Sequence, residues 1–138
     1  MSAAALHSER IDLTSDAEAV GPVQARLMTL GQAAGLDDAA VFQWTCAIVE
    51  ALNNCIEHAY EEAPGRPISV RWAEYADRLE VEIRDQGRPM PPDLPEHGAL
   101  AAVDALSGRG WHIIREWTDG IVYRTEPAGN LLVLTRNR

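Results

Sequence analysis

Two segments near the middle of the chain alternate apolar and polar residues. Residues 68–73 and 79–84 each place Ile, Val, Leu or Trp at every second position, with Ser, Arg and Glu between them. A period of two predicts strands with one covered and one solvent-facing side. Residues 6–13 are a weaker strand candidate, and residues 121–136 predict a closing hairpin with a turn at 127–130.

A longer apolar period predicts two helices between the first strand and the second. Ser15 and Glu18 form a capping box for a helix that ends at Gly35. Asp37 or Asp38 caps a second helix, which runs from residue 39 to about residue 62 and stops before Pro64. A short third helix is predicted over 111–117, opened by the segment Ser107-Gly108-Arg109-Gly110.

The order of these elements predicts an α+β fold. We expect a two-layer sandwich, in which the helices pack on one face of a mixed, mostly antiparallel sheet. A chain of 138 residues suits a single domain, residues 1–138. Residues 88–107 contain four prolines and then an alanine-rich tract, which indicates a long and therefore functional loop.

Charge and hydropathy exclude some classes of function. Twelve arginines stand against twenty-one acidic residues, which gives a net charge of −9. This balance argues against direct nucleic-acid binding, because such binding depends on neutralising phosphates. No stretch approaches the roughly 18 apolar residues of a membrane span, and the N-terminus is not typical of a signal peptide. We therefore expect a cytoplasmic protein without a membrane partner.

The predicted second helix carries Glu50, Asn54 and His58 at spacings of four residues, along one slowly drifting stripe. A carboxylate one turn before an Asn can offer a base beside a ligand for a hard metal ion. The alternative is an ordinary solvated face, but Asn53 and Asn54 together are poor helix formers and require another reason. His58 is more often structural than catalytic in such a place.

Two glycine motifs follow. Asp85-Gln86-Gly87-Arg88-Pro89 can place a carboxylate at the mouth of a pocket, although a plain strand exit would use the same residues. Gly108-Arg109-Gly110 can direct backbone N–H groups and a guanidinium at an anion, although a lone Gly-x-Gly is weak evidence. The order and spacing of the three motifs carry more weight than any one of them.

That order resembles the GHKL ATPase superfamily, which includes gyrase B, histidine kinases and MutL. Within it, the compact size and the segment Glu50-Ala51…Asn54…His58-Ala59-Tyr60 resemble the anti-sigma factor family of serine-protein kinases typified by SpoIIAB and RsbW. The resemblance spans nearly the whole chain. It implies a histidine-kinase-like ATPase fold that binds ATP and Mg²⁺.

The resemblance also implies a role for each motif. Glu50 would be the general base toward a target serine, and Asn54 would be both a nucleotide contact and the Mg²⁺ ligand. Asp85 would accept a hydrogen bond from the adenine amino group, with Gly87 allowing the base to approach. Residues 90–107 would form the ATP lid. The phosphates would lie against Gly108, Arg109 and Gly110.

The implied partners are a sigma factor and a STAS-type anti-anti-sigma antagonist, and the implied assembly is a homodimer. Two positions depart from the family pattern. Leu106 stands where the kinase members tend to carry Arg, and Asn130 stands where Thr often helps to hold the nucleotide. These departures leave open a nucleotide-binding anti-sigma module without significant kinase activity. A detached histidine-kinase catalytic domain is a weaker alternative.

Overall fold

The computed structural model describes residues 4–90 and 105–138. Five strands form one sheet in the order β1-β2-β3-β5-β4. All four described pairings are antiparallel, so the parallel pair that a mixed sheet would need is not found among them. The strands are β1 (His7–Thr14), β2 (Pro67–Glu74), β3 (Arg78–Asp85), β4 (Gly120–Glu126) and β5 (Gly129–Asn137).

Three α-helices cover one face of this sheet, which confirms the predicted two-layer α+β architecture. They are α1 (Val20–Ala33), α2 (Asp38–Asn54) and α3 (Ala105–Glu116). The alternate residues of the strands that were predicted to be covered, such as Val70, Trp72 and Val81, are fully buried and share one core with the helices. Burial of this apolar face is the main force that holds the layers together.

The start of α1 differs from the prediction. A 3₁₀ turn, Ala17–Ala19, precedes the helix, and no side chain caps it. Ser15 does not form the expected capping box: its hydroxyl donates to the carbonyl of Ala63 and accepts from the backbone N–H of Arg66. The hydroxyl thus joins the start of the helical layer to the loop before β2. For α2, Asp37 is the cap of the two predicted candidates, since its side chain accepts from the Ala40 N–H at 2.8 Å.

The second helix is shorter than predicted and ends in an unusual way. Regular α-helix stops at Asn54 and continues as one π-helical turn, Cys55–Ala59. Glu61 and Glu62 then adopt positive φ angles of 50° and 64°, which turn the chain toward β2. Periodicity could not predict this, because a π turn keeps helical hydrogen bonding while shifting the side-chain phase by one residue.

The third helix begins earlier than predicted, at Ala105 and not at Trp111. Gly108 and Gly110 therefore lie within the helix and do not precede it. Residues 91–104, most of the proposed lid of residues 90–107, lie outside the described residues, as do the side chains of Leu106 and Arg109. Within the described ranges, no helix has the length and apolar character needed to cross a membrane.

Candidate functional site

A polar pair interrupts the covered face of the sheet at one end. Asp85, the last residue of β3, pairs directly with Asn130 on β5, and the next strand contributes Ile68 opposite Asp85. Directly paired residues share a face, and Ile68 belongs to the helix-covered core. Asp85 and Asn130 are only 8% and 3% exposed. Buried polar groups persist where they are hydrogen-bonded or have a function.

The two carboxylate oxygens of Asp85 have different partners. Oδ1 accepts from the Gly87 N–H at 2.9 Å and from Asn130 Nδ2 at 2.8 Å. Oδ2 accepts from the Cys55 thiol, with Sγ at 3.5 Å. Burial, and next the charge of Asp85, hold the pKa of the Cys55 thiol well above its ordinary value, so Cys55 is a neutral donor. The carboxylate is thus held by three segments of the chain.

Two glycines allow these segments to approach one another. A Cβ on Gly87 would collide with the Ala59 carbonyl oxygen, and its distance to the carbonyl carbon would be 2.6 Å. Gly129 has φ of 142°, and a Cβ there would collide with the carbonyl oxygen of Asp85. Both positions therefore require glycine. The resemblance gave Gly87 the role of admitting a base; the contact that the structure shows is with the π-helical turn.

The π-helical turn is what brings the second helix to the end of β3. The Ala59 carbonyl accepts from the Arg88 N–H at 2.8 Å, just beyond Gly87. Tyr60 completes the junction: its hydroxyl donates to the Pro67 carbonyl and accepts from the Gln86 N–H, both at 2.6 Å. The π-helical turn and Tyr60 after it therefore bind the backbone of Gln86 and of Arg88, one on each side of Gly87. Such π turns are frequent at functional sites.

The Glu50 and Asn54 side chains meet the third helix at Gly110. An ideal Cβ on Gly110 would lie 3.3 Å from Glu50 Oε2 and 3.5 Å from Asn54 Oδ1. Both side chains are half-buried. Glu50 and Asn54 therefore lie on one helix face, as their spacing of four predicted. The absence of a side chain at Gly110 leaves room for their two side chains. Asn54 faces Gly110, and the next residue, Cys55, donates to Asp85. Two adjacent residues therefore connect the Gly110 contact to the Asp85 carboxylate.

The electrostatics of this face differ from those of an ordinary solvated helix. Burial, and next the charge of Glu57, raise the pKa of Glu50 above its ordinary value. Asn54 Nδ2 is buried and has no hydrogen-bond partner in the part of the chain that the structure describes. An unpartnered buried amide is costly, and a bound ligand would relieve that cost.

His58 leaves the stripe that the sequence suggested. It lies in the π-helical turn and is exposed, and its Nε2 is 3.9 Å from Glu57 Oε2. The shifted phase of the turn separates it from Glu50 and Asn54. The structural role expected for its imidazole is not seen. The backbone carbonyl of His58 instead accepts from the Arg88 guanidinium at 3.4 Å.

Gly108 and Gly110 occupy different positions relative to the helix start. In a regular helix the four N–H groups without internal partners belong to the N-cap residue and the first three helical residues. Gly108 is the fourth residue of α3 and Gly110 is the sixth, so neither glycine belongs to that set. A Cβ at Gly110 would instead contact the Glu50 and Asn54 side chains. The role of Arg109 rests on a side chain outside the described residues.

Sequence reasoning underestimated two residues of the site. Asn130 was considered only as a departure from a family pattern, and no polar contact was predicted for Cys55. One signal was available in the sequence: Gly129 and Asn130 begin β5, the strand that pairs with β3 and places Asn130 opposite Asp85. The pairing of β3 with β5 had to be known before that signal could be used.

The residues present fit an ATP and Mg²⁺ site. The Asn54 amide oxygen is a hard oxygen ligand of the kind that Mg²⁺ prefers, and the Glu50 carboxylate faces the same glycine, Gly110. The orphaned amide of Asn54 lies on the helix face that meets Gly110. The buried Asp85 carboxylate is an acceptor suited to an exocyclic amine.

Similarity to known proteins extends over most of the chain. Residues 13–136 match the family model described as the histidine kinase-like ATPase domain. Curated relatives named serine-protein kinase RsbW include those of Bacillus licheniformis and Halalkalibacterium halodurans. The first is 28% identical, covering 83% of this chain and 77% of the relative; the second is 27% identical, covering 93% and 83%.

A solved structure shows the same fold. The blue-light activated histidine kinase of Erythrobacter litoralis superposes with a TM-score of 0.56 over 85% of this chain, at 16% identity. This chain spans 41% of that kinase, so the similarity concerns the fold of one part of it. With the family match covering nearly the entire sequence, the chain belongs to the histidine kinase-like ATPase family.

Proposed function

We propose that this protein is an ATP-binding anti-sigma factor that phosphorylates a serine on an anti-anti-sigma antagonist. The observation that carries the proposal is that the Glu50 and Asn54 side chains both face Gly110. The next residue along the helix, Cys55, donates to the buried Asp85 carboxylate. The relatives named serine-protein kinase RsbW support the kinase class and the partner-switching type of regulation.

In this proposal the Asp85 carboxylate binds the amino group of adenine. Gly108, Arg109 and Gly110 lie against the phosphates. Asn54 would hold Mg²⁺ through its amide oxygen. The ion, when bound, neutralises phosphate charge. Residues 90–107 act as the lid. Phosphoryl transfer depends mainly on positioning and charge neutralisation, so few residues suffice.

Glu50 is the proposed general base. The oxygen of the target serine bonds to the γ-phosphorus while the bond between that phosphorus and the β,γ-bridging oxygen breaks, which releases ADP. The serine proton passes to a Glu50 carboxylate oxygen. Because the pKa of Glu50 is raised, the carboxylate is a stronger base than an exposed one. Transfer should therefore fall as the pH drops through this raised pKa.

The proposed partners are a sigma factor and an antagonist of the STAS type, with the protein acting as a homodimer. Support for these partners and for the dimer comes from the resemblance of the helix motif, and the relatives named serine-protein kinase RsbW support a protein substrate that carries a serine. The net charge of −9 is unsuited to nonspecific contact with DNA or RNA. Control of transcription would then operate through protein partners and not through direct nucleic-acid binding.

Labelled phosphate transfer tests the proposal. Purified protein is incubated with γ-labelled ATP, Mg²⁺ and a cognate antagonist, and labelled serine is measured. Wild type should transfer label, and Glu50→Gln should lower the rate by about 10²- to 10⁴-fold while ADP affinity is retained. Glu116→Gln, an exposed carboxylate at the end of α3, is the matched control and should transfer at the wild-type rate. Equal transfer by Glu50→Gln and wild type would contradict the role of Glu50.

A nucleotide-binding module without useful catalysis is the second candidate. It is favoured by Leu106, which stands where the resembling kinases tend to carry Arg. A missing guanidinium would weaken stabilisation of charge on the transferred phosphate. Tight binding of ADP and ATP with no labelled serine on any antagonist would decide for this candidate.

A further inference from the structure

Asn130 has the most constrained amide group near the candidate nucleotide site. Its side chain is 3% exposed, and its Nδ2 donates to Asp85 Oδ1 at 2.8 Å and to the Gly87 carbonyl at 3.0 Å. A carboxamide nitrogen has two hydrogens, so both are used. The amide therefore bonds to both Asp85, the last residue of β3, and the Gly87 backbone two residues later. Asn130 itself lies on β5, 45 residues after Asp85.

This arrangement makes the two oxygens of Asp85 unequal. Oδ1 accepts two N–H bonds, from Gly87 and Asn130, within 2.9 Å. Among the described residues, the donor to Oδ2 is the Cys55 thiol at 3.5 Å, and thiols are weak donors. Oδ1 is thus occupied by the protein, whereas Oδ2 keeps most of its capacity to accept.

We propose that Asn130 is a positioning residue that turns Asp85 so that Oδ2 is presented to the exocyclic amine of a purine. The proposal rests on the proposed function, in which Asp85 binds the base. It adds that discrimination between a 6-amino and a 6-oxo purine depends on Asn130, which contacts Asp85 and not the base.

The chemistry of asparagine at this position explains the arrangement. A threonine hydroxyl has a single hydrogen and can donate to Asp85 or to Gly87, but not to both. Asparagine donates to both, so it fixes the carboxylate and the following turn together. A carboxylate that cannot rotate presents one oxygen in one direction, which is how a buried polar group provides specificity.

Binding of two diphosphates tests the inference. ADP carries a 6-amino group, and inosine diphosphate carries a 6-oxo group in its place. Calorimetry on the full chain should give wild type a clear preference for ADP. Asn130→Ala should reduce the ratio of the two dissociation constants by about tenfold or more, since the freed carboxylate can rotate. Asn130→Thr should give an intermediate ratio.

Two further variants make the result specific. Cys55→Ser places a stronger hydroxyl donor beside Oδ2 and should also lower the ratio, by competing with the base. Asn137→Ala, an exposed residue at the other end of the same strand, should leave the ratio unchanged. Melting curves confirm that each variant is folded; if Asn130→Ala is not, Asn130→Thr and Cys55→Ser still provide the comparison.

The outcomes separate this inference from the function on which it rests. Failure of wild type to bind either diphosphate would overturn the proposed function. Equal wild-type affinity for both would overturn base recognition by Asp85, and the positioning role with it. Wild-type discrimination that survives Asn130→Ala, with both affinities reduced by one common factor, would show that Asn130 is only structural and would overturn the inference alone.

Discussion

The two ends of the candidate site differ in how completely the protein satisfies its own polar groups. At the Asp85 end, the carboxylate, the Asn130 amide and the Tyr60 hydroxyl are buried or part-buried, and all are hydrogen-bonded. At the Glu50 end, the carboxylate is half-buried with a raised pKa, and the Asn54 amide nitrogen has no partner among the described residues.

This difference separates stability from function. A fully bonded cluster holds its geometry without a ligand, so changes there should affect folding and binding together. A face with unsatisfied groups loses stability in exchange for ligand contacts, so changes there should affect activity and leave folding intact or improved. The two ends therefore predict opposite responses to similar substitutions, and glycine provides the clearest test.

The largest effect is expected for Gly129→Ala at the Asp85 end. Its φ of 142° and the collision of a Cβ with the Asp85 carbonyl should lower the free energy of unfolding by about 3 kcal/mol or more. Urea denaturation measures this. Gly21→Ala is the control, since a Cβ there meets nothing within 4 Å; with Pro22 following it, the free energy of unfolding should change by less than about 1 kcal/mol. Similar stabilities for the two variants would contradict the comparison.

Gly110→Ala at the Glu50 end should have the opposite character. Alanine favours the helix over glycine by about 0.5–1 kcal/mol, so the melting temperature should stay level or rise. The new methyl group would lie 3.3 Å from Glu50 Oε2 and displace it, which should slow phosphoryl transfer by about tenfold to hundredfold. Paired melting and transfer assays measure both. A variant that melts at a lower temperature and transfers phosphate at the wild-type rate would contradict this. It would show that Gly110, like Gly87 and Gly129, is needed for the fold.

Tyr60→Phe should destabilise the Asp85 end by a smaller amount. The change leaves the Pro67 carbonyl and the Gln86 N–H without the hydroxyl that now bonds to both. We expect a loss of about 1–2 kcal/mol, seen as a lower urea midpoint with an unchanged slope. Weaker ADP binding should accompany it, because Gln86 follows Asp85. An unchanged midpoint would show that water replaces the hydroxyl.

The smallest effect is a pH-dependent gain for Glu50→Gln. The folded chain retains the Glu50 proton to a higher pH than the unfolded chain, because burial and then Glu57 raise its pKa above the ordinary 4.5. Stability from this group is present below the ordinary value and is lost as the pH rises through the raised one. The glutamine variant should therefore be slightly more stable than wild type at pH 7 and equal to it at acid pH. Denaturation curves at both pH values test the sign.

Much of the fold could be predicted because its residues obey local rules. Alternation located β2 and β3, and the cap of α2 was narrowed to Asp37 or Asp38 before any contact was known. Glu50 and Asn54 could be grouped because a spacing of four fixes one face of a helix. The roles proposed for them come from resemblance and not from periodicity.

The remaining features depend on contacts between distant segments. The hydroxyl of Ser15 bonds near Ala63 and not within its own helix, so a correct local motif gave a wrong cap. The π turn at Cys55–Ala59 is stabilised by Arg88 and Tyr60, and no single-segment pattern contains that information. Asn130 could be assigned to Asp85 only once β5 was known to lie beside β3.

The placement of β5 has a consequence for synthesis of the chain. The strand lies between β3 and β4 in the sheet although it follows both in sequence, and it carries Gly129 and Asn130. A nascent chain that has reached only β3 lacks the amide that orients Asp85, however well its helices have formed. If ligand binding requires that amide, nucleotide stabilises only those molecules whose last strand has been inserted. Cellular nucleotide would then act as a selective check on complete folding, protecting finished chains from proteolysis and leaving unfinished ones exposed.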